Sequence, residues 1–140
     1  HLLQFYKTAG ISIATVDVGS GYSGLTLLTK ISPHFLKIDF EIIHQLHKDP
    51  VKQAIVKSLV MLGTAKGLKI IAEGIEEKAE LDMLTELGVA YGQGYYLGYP
   101  AEIPLALSPQ LEADIKKKPE FPLPAAYSFI PLLDELQNES

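Results

Sequence analysis

Apolar residues in this chain fall into short β-branched runs that alternate with longer stretches of helical period, and glycine or proline punctuates nearly every junction. Ile11 to Val18 predicts a strand, and the glycine-rich stretch from Gly19 to Gly24 predicts a tight turn after it. Leu25, Leu27, Leu28 and Ile31 then recur at helical spacing until Pro33 stops them. Phe35 to Phe40 reads as a second strand. Beyond Asp49-Pro50, the residues Ile55, Leu59, Val60, Leu62 and Ala65 mark a longer helix closed by Gly67. Leu68 to Ala72 predicts a third strand, Glu77 to Leu87 a helix ended by Gly88, and Val89 to Leu97 a fourth strand.

The predicted order is β-α-β-α-β-α-β, which argues for an α/β fold with parallel strands and helices packed on the sheet. Both an open doubly wound sheet and part of a closed barrel satisfy that order. Residues 1–10 resemble the end of a helix closed by Gly10, so the sequence is expected to begin within a fold. From Pro100 onward the periodicity breaks up, because seven of the nine prolines lie there. The expected division is a domain over 1–104 and a Pro-rich C-terminal tail over 105–140. Within that tail Phe129 to Leu136 suits one short amphipathic helix, and Lys116-Lys117-Lys118 reads as a solvated charge run.

Composition narrows the possibilities. The chain has 140 residues, 47% of them hydrophobic, which fits a globular domain and excludes general disorder. A complete (β/α)₈ barrel takes about 250 residues, so barrel signals here would mean part of one. The net charge of −5 gives no electrostatic reason to expect a nucleic-acid polymer as partner. Absence of cysteine excludes disulfides and thiolate chemistry. No apolar stretch reaches the ~18–20 residues of a membrane span, and a cytoplasmic location is the expectation.

In parallel α/β folds ligands meet the carboxyl ends of the strands. The polar residues there are Asp17, then Lys37 with Asp39, then Glu73, and Gln93. Alternation along a strand is expected to project Lys37 and Asp39 together, with Leu36 and Ile38 packing on the other side. An ammonium in an apolar strand needs an anionic partner, either Asp39 or Asp17 in an internal ion pair or a bound phosphate. Carboxylates on neighbouring strand ends suit a hard divalent cation such as Mg²⁺ or Mn²⁺, although such residues also serve as helix N-caps. Gly19-x-Gly21-x-x-Gly24 after a strand also fits a dinucleotide or S-adenosylmethionine site, and a methyltransferase fragment is one alternative. His44 and His47 read as a surface turn, and Tyr91, Tyr95, Tyr96 and Tyr99 as core and rim aromatics of the last strand.

Taken in order, Val16-Asp-Val-Gly-Ser-Gly-Tyr-Ser-Gly-Leu25, Leu36-Lys-Ile-Asp39, Ile71-Ala-Glu-Gly-Ile-Glu76 and Gln93-Gly-Tyr-Tyr-Leu-Gly-Tyr-Pro100 resemble the second half of the EAL domain. This family contains bacterial cyclic-di-GMP phosphodiesterases. The resemblance implies the second half of a TIM-like (β/α)₈ barrel and metal-dependent hydrolysis of cyclic di-GMP to linear pGpG, with Mg²⁺ or Mn²⁺. It implies Asp17 as a metal ligand, Lys37 holding water or balancing phosphate charge, and Glu73 and Gln93 near the metal and water. Gly19, Ser20, Gly21, Tyr22 and Ser23 match the loop that links metal occupancy to dimerisation, and Asp39 closes the second motif. Implied partners are cyclic di-GMP and either a second copy or attached signalling domains.

The departures bear on activity. Val16 stands where the family has the first aspartate of a pair, Phe40 where an arginine is usual, and Tyr99 where a lysine is common. No Glu-Ala-Leu occurs in the 140 residues. The expectation is a domain whose hydrolase activity is impaired or absent, the alternative role being a cyclic-di-GMP binding or regulatory dimerisation module. The sheet is also expected to expose an apolar edge.

Overall fold

The computed structural model describes residues 2–18, 28, 31, 33–103 and 106–116. The Gly19 to Gly24 turn lies outside them, as do the helix expected over Leu25 to Ile31, except for isolated positions, and the Phe129 to Leu136 helix. The described elements run α1 (Leu2–Thr8), β1 (Ala14–Val18), β2 (Phe35–Ile38), α2 (Phe40–Ile43), a 3₁₀ turn (Leu46–Lys48), α3 (Pro50–Lys66), β3 (Lys69–Glu73), α4 (Lys78–Glu86), β4 (Tyr91–Gln93) and α5 (Pro109–Ile115).

Local chemistry sets the main helix. Asp49 accepts hydrogen bonds from the Val51 and Lys52 amides at 2.9 and 3.2 Å, Pro50 occupies the first turn, and Gly67 ends the helix at φ 68°. Its buried face is Val56, Leu59, Val60 and Gly63, at i, i+3, i+4 and i+7. The expected face therefore shifts: Ile55 and Ala65 are exposed, and Val56 and Gly63 take the buried places. Gly63 is needed there because a Cβ would meet Ile70 and the Leu68 carbonyl at 3.0 Å.

All strand pairs are parallel and follow chain order, β1-β2-β3-β4. A doubly wound cofactor-binding sheet reverses its strand order at a switch point, and that reversal is where its ligand sits. The sequential order here lacks one among the described strands, which removes the structural support for the methyltransferase alternative and suits a barrel. Leu36, Ile38, Ile70 and Ala72 point to one face, each at most 4% exposed, and join Val56, Leu59 and Leu81 in the core beneath the helices. Residues in register with Phe35, Lys37, Ile71, Glu73 and Gln93 lie on the opposite, open face.

Several boundaries differ from expectation, among them the end of the second strand at Ile38 rather than Phe40. The first strand begins at Ala14 rather than Ile11, and the backbone groups around Ile13 are instead taken by His34, whose Nδ1 accepts from the Ile13 amide at 3.1 Å. The fourth strand ends at Gln93 rather than Leu97, because the chain turns at Gly94 and Tyr96 donates its amide to Ile75. The tail contains a helix, α5, that the proline density concealed. Ser108 caps it by accepting from the Leu111 amide at 3.2 Å, and Leu111 is buried.

An ion-pair bridge ties α5 to α4. Lys78 Nζ lies 2.8 Å from Asp82 and 3.3 Å from Asp114, whose side chain is buried. The hydrogen bond to Asp82, with the further one to Asp114, raises the Lys78 pKa above its ordinary 10.5. The stabilisation is thus complete below pH 10.5 and is lost as pH rises through the higher folded value. NMR titration above that pH is expected to show the contact between α4 and α5 weaken, and Lys78→Met is expected to remove that part of the pH dependence. The same profile in wild type and variant would disprove it.

Candidate functional site

The strand ends build the site. β1 pairs with β2 through Thr15 opposite Leu36 and Val18 opposite Ile38, so Val16 and Asp17 together face the single residue Lys37. That extra residue breaks the register there, as a β-bulge does, and such breaks re-aim side chains near functional sites. On the other side, Lys37 is in register with Ile71 and Glu73 with Gln93. The order across the carboxyl ends is therefore Asp17, Lys37, Glu73, Gln93.

Lys37 Nζ forms an ion pair with Glu73 Oε1, and each side chain keeps 23% of its surface exposed. Of the two partners expected from sequence, Asp39 does not hold it, and the side chain of Asp17 lies outside those described. Asp39 turns away to cap α2, accepting from the Glu41 amide at 2.9 Å. Alternation cannot foresee this, because the strand ends at Ile38 and Asp39 no longer follows its pleat. A partly exposed pair contributes at most about 1 kcal/mol to stability.

The opposite end of the same face is closed by aromatics. Phe35 and Tyr91 meet edge to face at 6.1 Å, and Lys69 Nζ lies 5.8 and 5.6 Å from their ring centres. Tyr95 and Tyr99 stack at 4.7 Å and are 58% and 71% exposed, so they form a surface feature rather than core. Beside Gln93, an open cleft of about 490 Å³ is lined by Gly92, Gly94, Tyr99, Leu107 and Ser108. The segment entering α5 thus walls the space next to a candidate site residue.

His44 and His47 do not reach the strand ends. His44 follows α2 and stacks on Phe40 at 5.0 Å, while His47 sits in the 3₁₀ turn. Among the described residues no group of three His, Asp or Glu side chains converges as a metal centre. The oxygen donors available at the strand ends, Glu73, Gln93 and Asp17, are of the kind that Mg²⁺ or Mn²⁺ prefers. They fit such an ion in type and fall short of its six positions in number. Sequence reasoning missed Glu80, a completely buried carboxylate beneath the β3–α4 connection. Its signal is faint, an acidic residue in the first turn of a predicted helix.

Among the described residues no helix is long and apolar enough to cross a membrane.

The chain is 40% identical over 99 residues to the bifunctional diguanylate cyclase/cyclic di-GMP phosphodiesterase MucR of Pseudomonas aeruginosa, covering 71% of this chain and 14% of that protein. Among solved structures it resembles a standalone EAL protein of Vibrio cholerae O395 in its c-di-GMP bound form, with a TM-score of 0.74 and 36% identity. That match covers 79% of this chain and 47% of the other. A manganese/cy-diGMP complex of Klebsiella pneumoniae BlrP1 matches with a TM-score of 0.68 and 37% identity, over 71% of this chain and 26% of that one. The chain thus spans about half of the smaller structural relative and a much smaller share of MucR. The four parallel strands correspond to the second half of a TIM-like barrel. The EAL domain model matches residues 1–100, and the chain belongs to the EAL domain family.

Proposed function

We propose that this chain is a cyclic-di-GMP binding module of the EAL type, over residues 1–104, that engages the phosphodiester at Lys37 without hydrolysing it. The observation that carries this reading is the Lys37–Glu73 ion pair at the ends of adjacent strands, partly open to solvent and flanked by Asp17 and Gln93. Lys37 is placed to exchange Glu73 for a non-bridging phosphate oxygen, offsetting the ligand's charge. That exchange frees the Glu73 carboxylate to accept a hydrogen bond from water or to serve as an oxygen ligand. Gln93, in register beside it, supplies an amide that orients the same water or the sugar-phosphate edge.

Asp17 and Glu73 would hold a Mg²⁺ or Mn²⁺ ion. When bound, such an ion polarises the phosphate and lowers the pKa of a coordinated water. Val16 contributes no oxygen where a second carboxylate would strengthen that hold, which is the basis for expecting binding without turnover. The Gly19–Ser23 loop would serve contact with a second copy or an attached signalling domain.

Calorimetric titration of cyclic di-GMP into the chain, with and without Mn²⁺, tests the reading alongside chromatography for pGpG. Binding that strengthens with Mn²⁺ and yields no pGpG is the expected result. Robust pGpG release would replace the non-catalytic reading with an enzymatic one, and absence of binding would remove the site assignment.

A further inference from the structure

Glu80 has no solvent exposure, and both of its carboxyl oxygens accept hydrogen bonds. Oε2 accepts the amides of Glu76 and Glu77 at 2.9 and 3.1 Å, which is ordinary chemistry for an acidic residue in a helix's first turn. Oε1 accepts a third amide at 2.8 Å, from Gln45, thirty-five residues earlier in the chain. Gln45 lies between α2 and the 3₁₀ turn and adopts φ 55°, a left-handed conformation that side chains other than glycine seldom take. A helix cap alone would not require that distortion.

The segment held by Glu80 is the one that places the candidate site. Glu73 ends β3 on Lys37. Gly74 packs on Phe40, at the start of α2, so closely that a Cβ would lie 2.5 Å from a ring carbon. Ile75 donates its amide to the Gln93 carbonyl at 3.1 Å and accepts from the Tyr96 amide at 3.0 Å. Glu76 and Glu77 then end on Glu80. Residues 73–75 are thereby joined to β2, α2 and β4, and Glu80 fastens the next two, Glu76 and Glu77, to Gln45 after α2. His44 Nδ1, 3.7 Å from Oε1, is too far for a hydrogen bond and leaves the three amides as the partners that matter.

We infer that Glu80 is a positioning residue that holds Glu73 in place against Lys37 and Gln93. The inference rests on the binding reading above. A carboxylate is required because three donors converge on it: an amide side chain would turn an NH₂ group toward at least one of them.

Glu80→Gln tests this because it changes charge and acceptor number at constant size. Asp114→Asn removes the other buried carboxylate, near α5, as a control for general loss of stability. Cyclic di-GMP affinity with Mn²⁺ is expected to fall about tenfold in Glu80→Gln, the range typical of residues behind a site, and by less than about twofold in Asp114→Asn. Glu73→Ala/Glu80→Gln is expected to bind no worse than Glu73→Ala alone, because residues acting through one another are not additive. Additive losses, or unchanged affinity in Glu80→Gln, would overturn the assignment. If Glu80→Gln fails to fold, Glu80→Asp, with both oxygens drawn back by one methylene, is expected to give a smaller loss by the same route.

Absence of binding by the wild-type chain would defeat the functional reading instead. The positioning role is then decided by nuclear Overhauser contacts between Lys37 Hε and Glu73 Hγ, expected in wild type and Asp114→Asn and lost in Glu80→Gln. Their persistence in Glu80→Gln would end it.

Discussion

Replacing Gly94 with alanine is expected to lower the melting temperature by roughly 10 °C or more. A Cβ at this position would overlap the backbone nitrogen and oxygen of Ile75 and lie 2.7 Å from its carbonyl carbon. Both partners are backbone, so no rotamer change relieves the overlap. Ile75 is 1% exposed and pinned on both sides, donating to Gln93 and accepting from Tyr96. Separation of the two segments would sacrifice both hydrogen bonds as well as core packing. Overpacking alone costs about 1–3 kcal/mol and each lost hydrogen bond about 1, a sum of about 3–5 kcal/mol. Against a total stability of about 5–15 kcal/mol, that approaches unfolding. Thermal denaturation followed by circular dichroism decides the matter, and a shift below about 3 °C would show that the turn after β4 yields easily.

The largest functional gain is expected from Val16→Asp. The break in register sets positions 16 and 17 together against Lys37, so an added carboxylate joins Asp17 at the same strand end. A divalent cation with two adjacent carboxylates is held by more charge and more oxygen than one with Asp17 and Glu73 alone. Mn²⁺ affinity is expected to rise about 10–100-fold, at least the size of effect seen when supporting groups around a metal are changed. Isothermal titration with Mn²⁺ measures it directly. Appearance of pGpG in the variant and not in wild type would locate the defect in hydrolysis at Val16. Tighter Mn²⁺ binding without pGpG would place the defect in ligands beyond these four strands, and unchanged Mn²⁺ affinity would contradict the role assigned to that break.

The contrast between these two positions marks how far the sequence can be read. Helix α3 is legible at both ends because Asp49-Pro50 and Gly67 act on their own backbone neighbours. Its buried face is offset because the choice between Ile55 and Val56 depends on where β3 passes, and Gly63 is buried for the sake of Ile70. Strand identities follow from apolar runs, while the end of β4 is set by Ile75, far along the chain, and cannot be read locally. Among candidate site residues, Lys37 and Glu73 are both visible as polar residues at strand ends. Their pairing requires inter-strand register, which periodicity within one strand does not contain. Asp39 departs from its expected place because a carboxylate one residue beyond a strand can serve the next helix as readily as the site. Glu80 is concealed because its importance lies in the distant Gln45 amide.

The sequential pairing of the sheet bears on how the chain reaches its native state. Ala14 pairs with Phe35, Phe35 with Lys69, and Ile71 with Tyr91. Each ladder therefore closes a loop of roughly 20–35 residues, short for parallel strands, and no strand waits for one later than its successor. Among the described strands, assembly can proceed in chain order, one strand and helix at a time. β4, following β3 in the chain, would find it already formed, and its arrival would lock Gln93 beside Glu73 only as the turn at Gly94 closed.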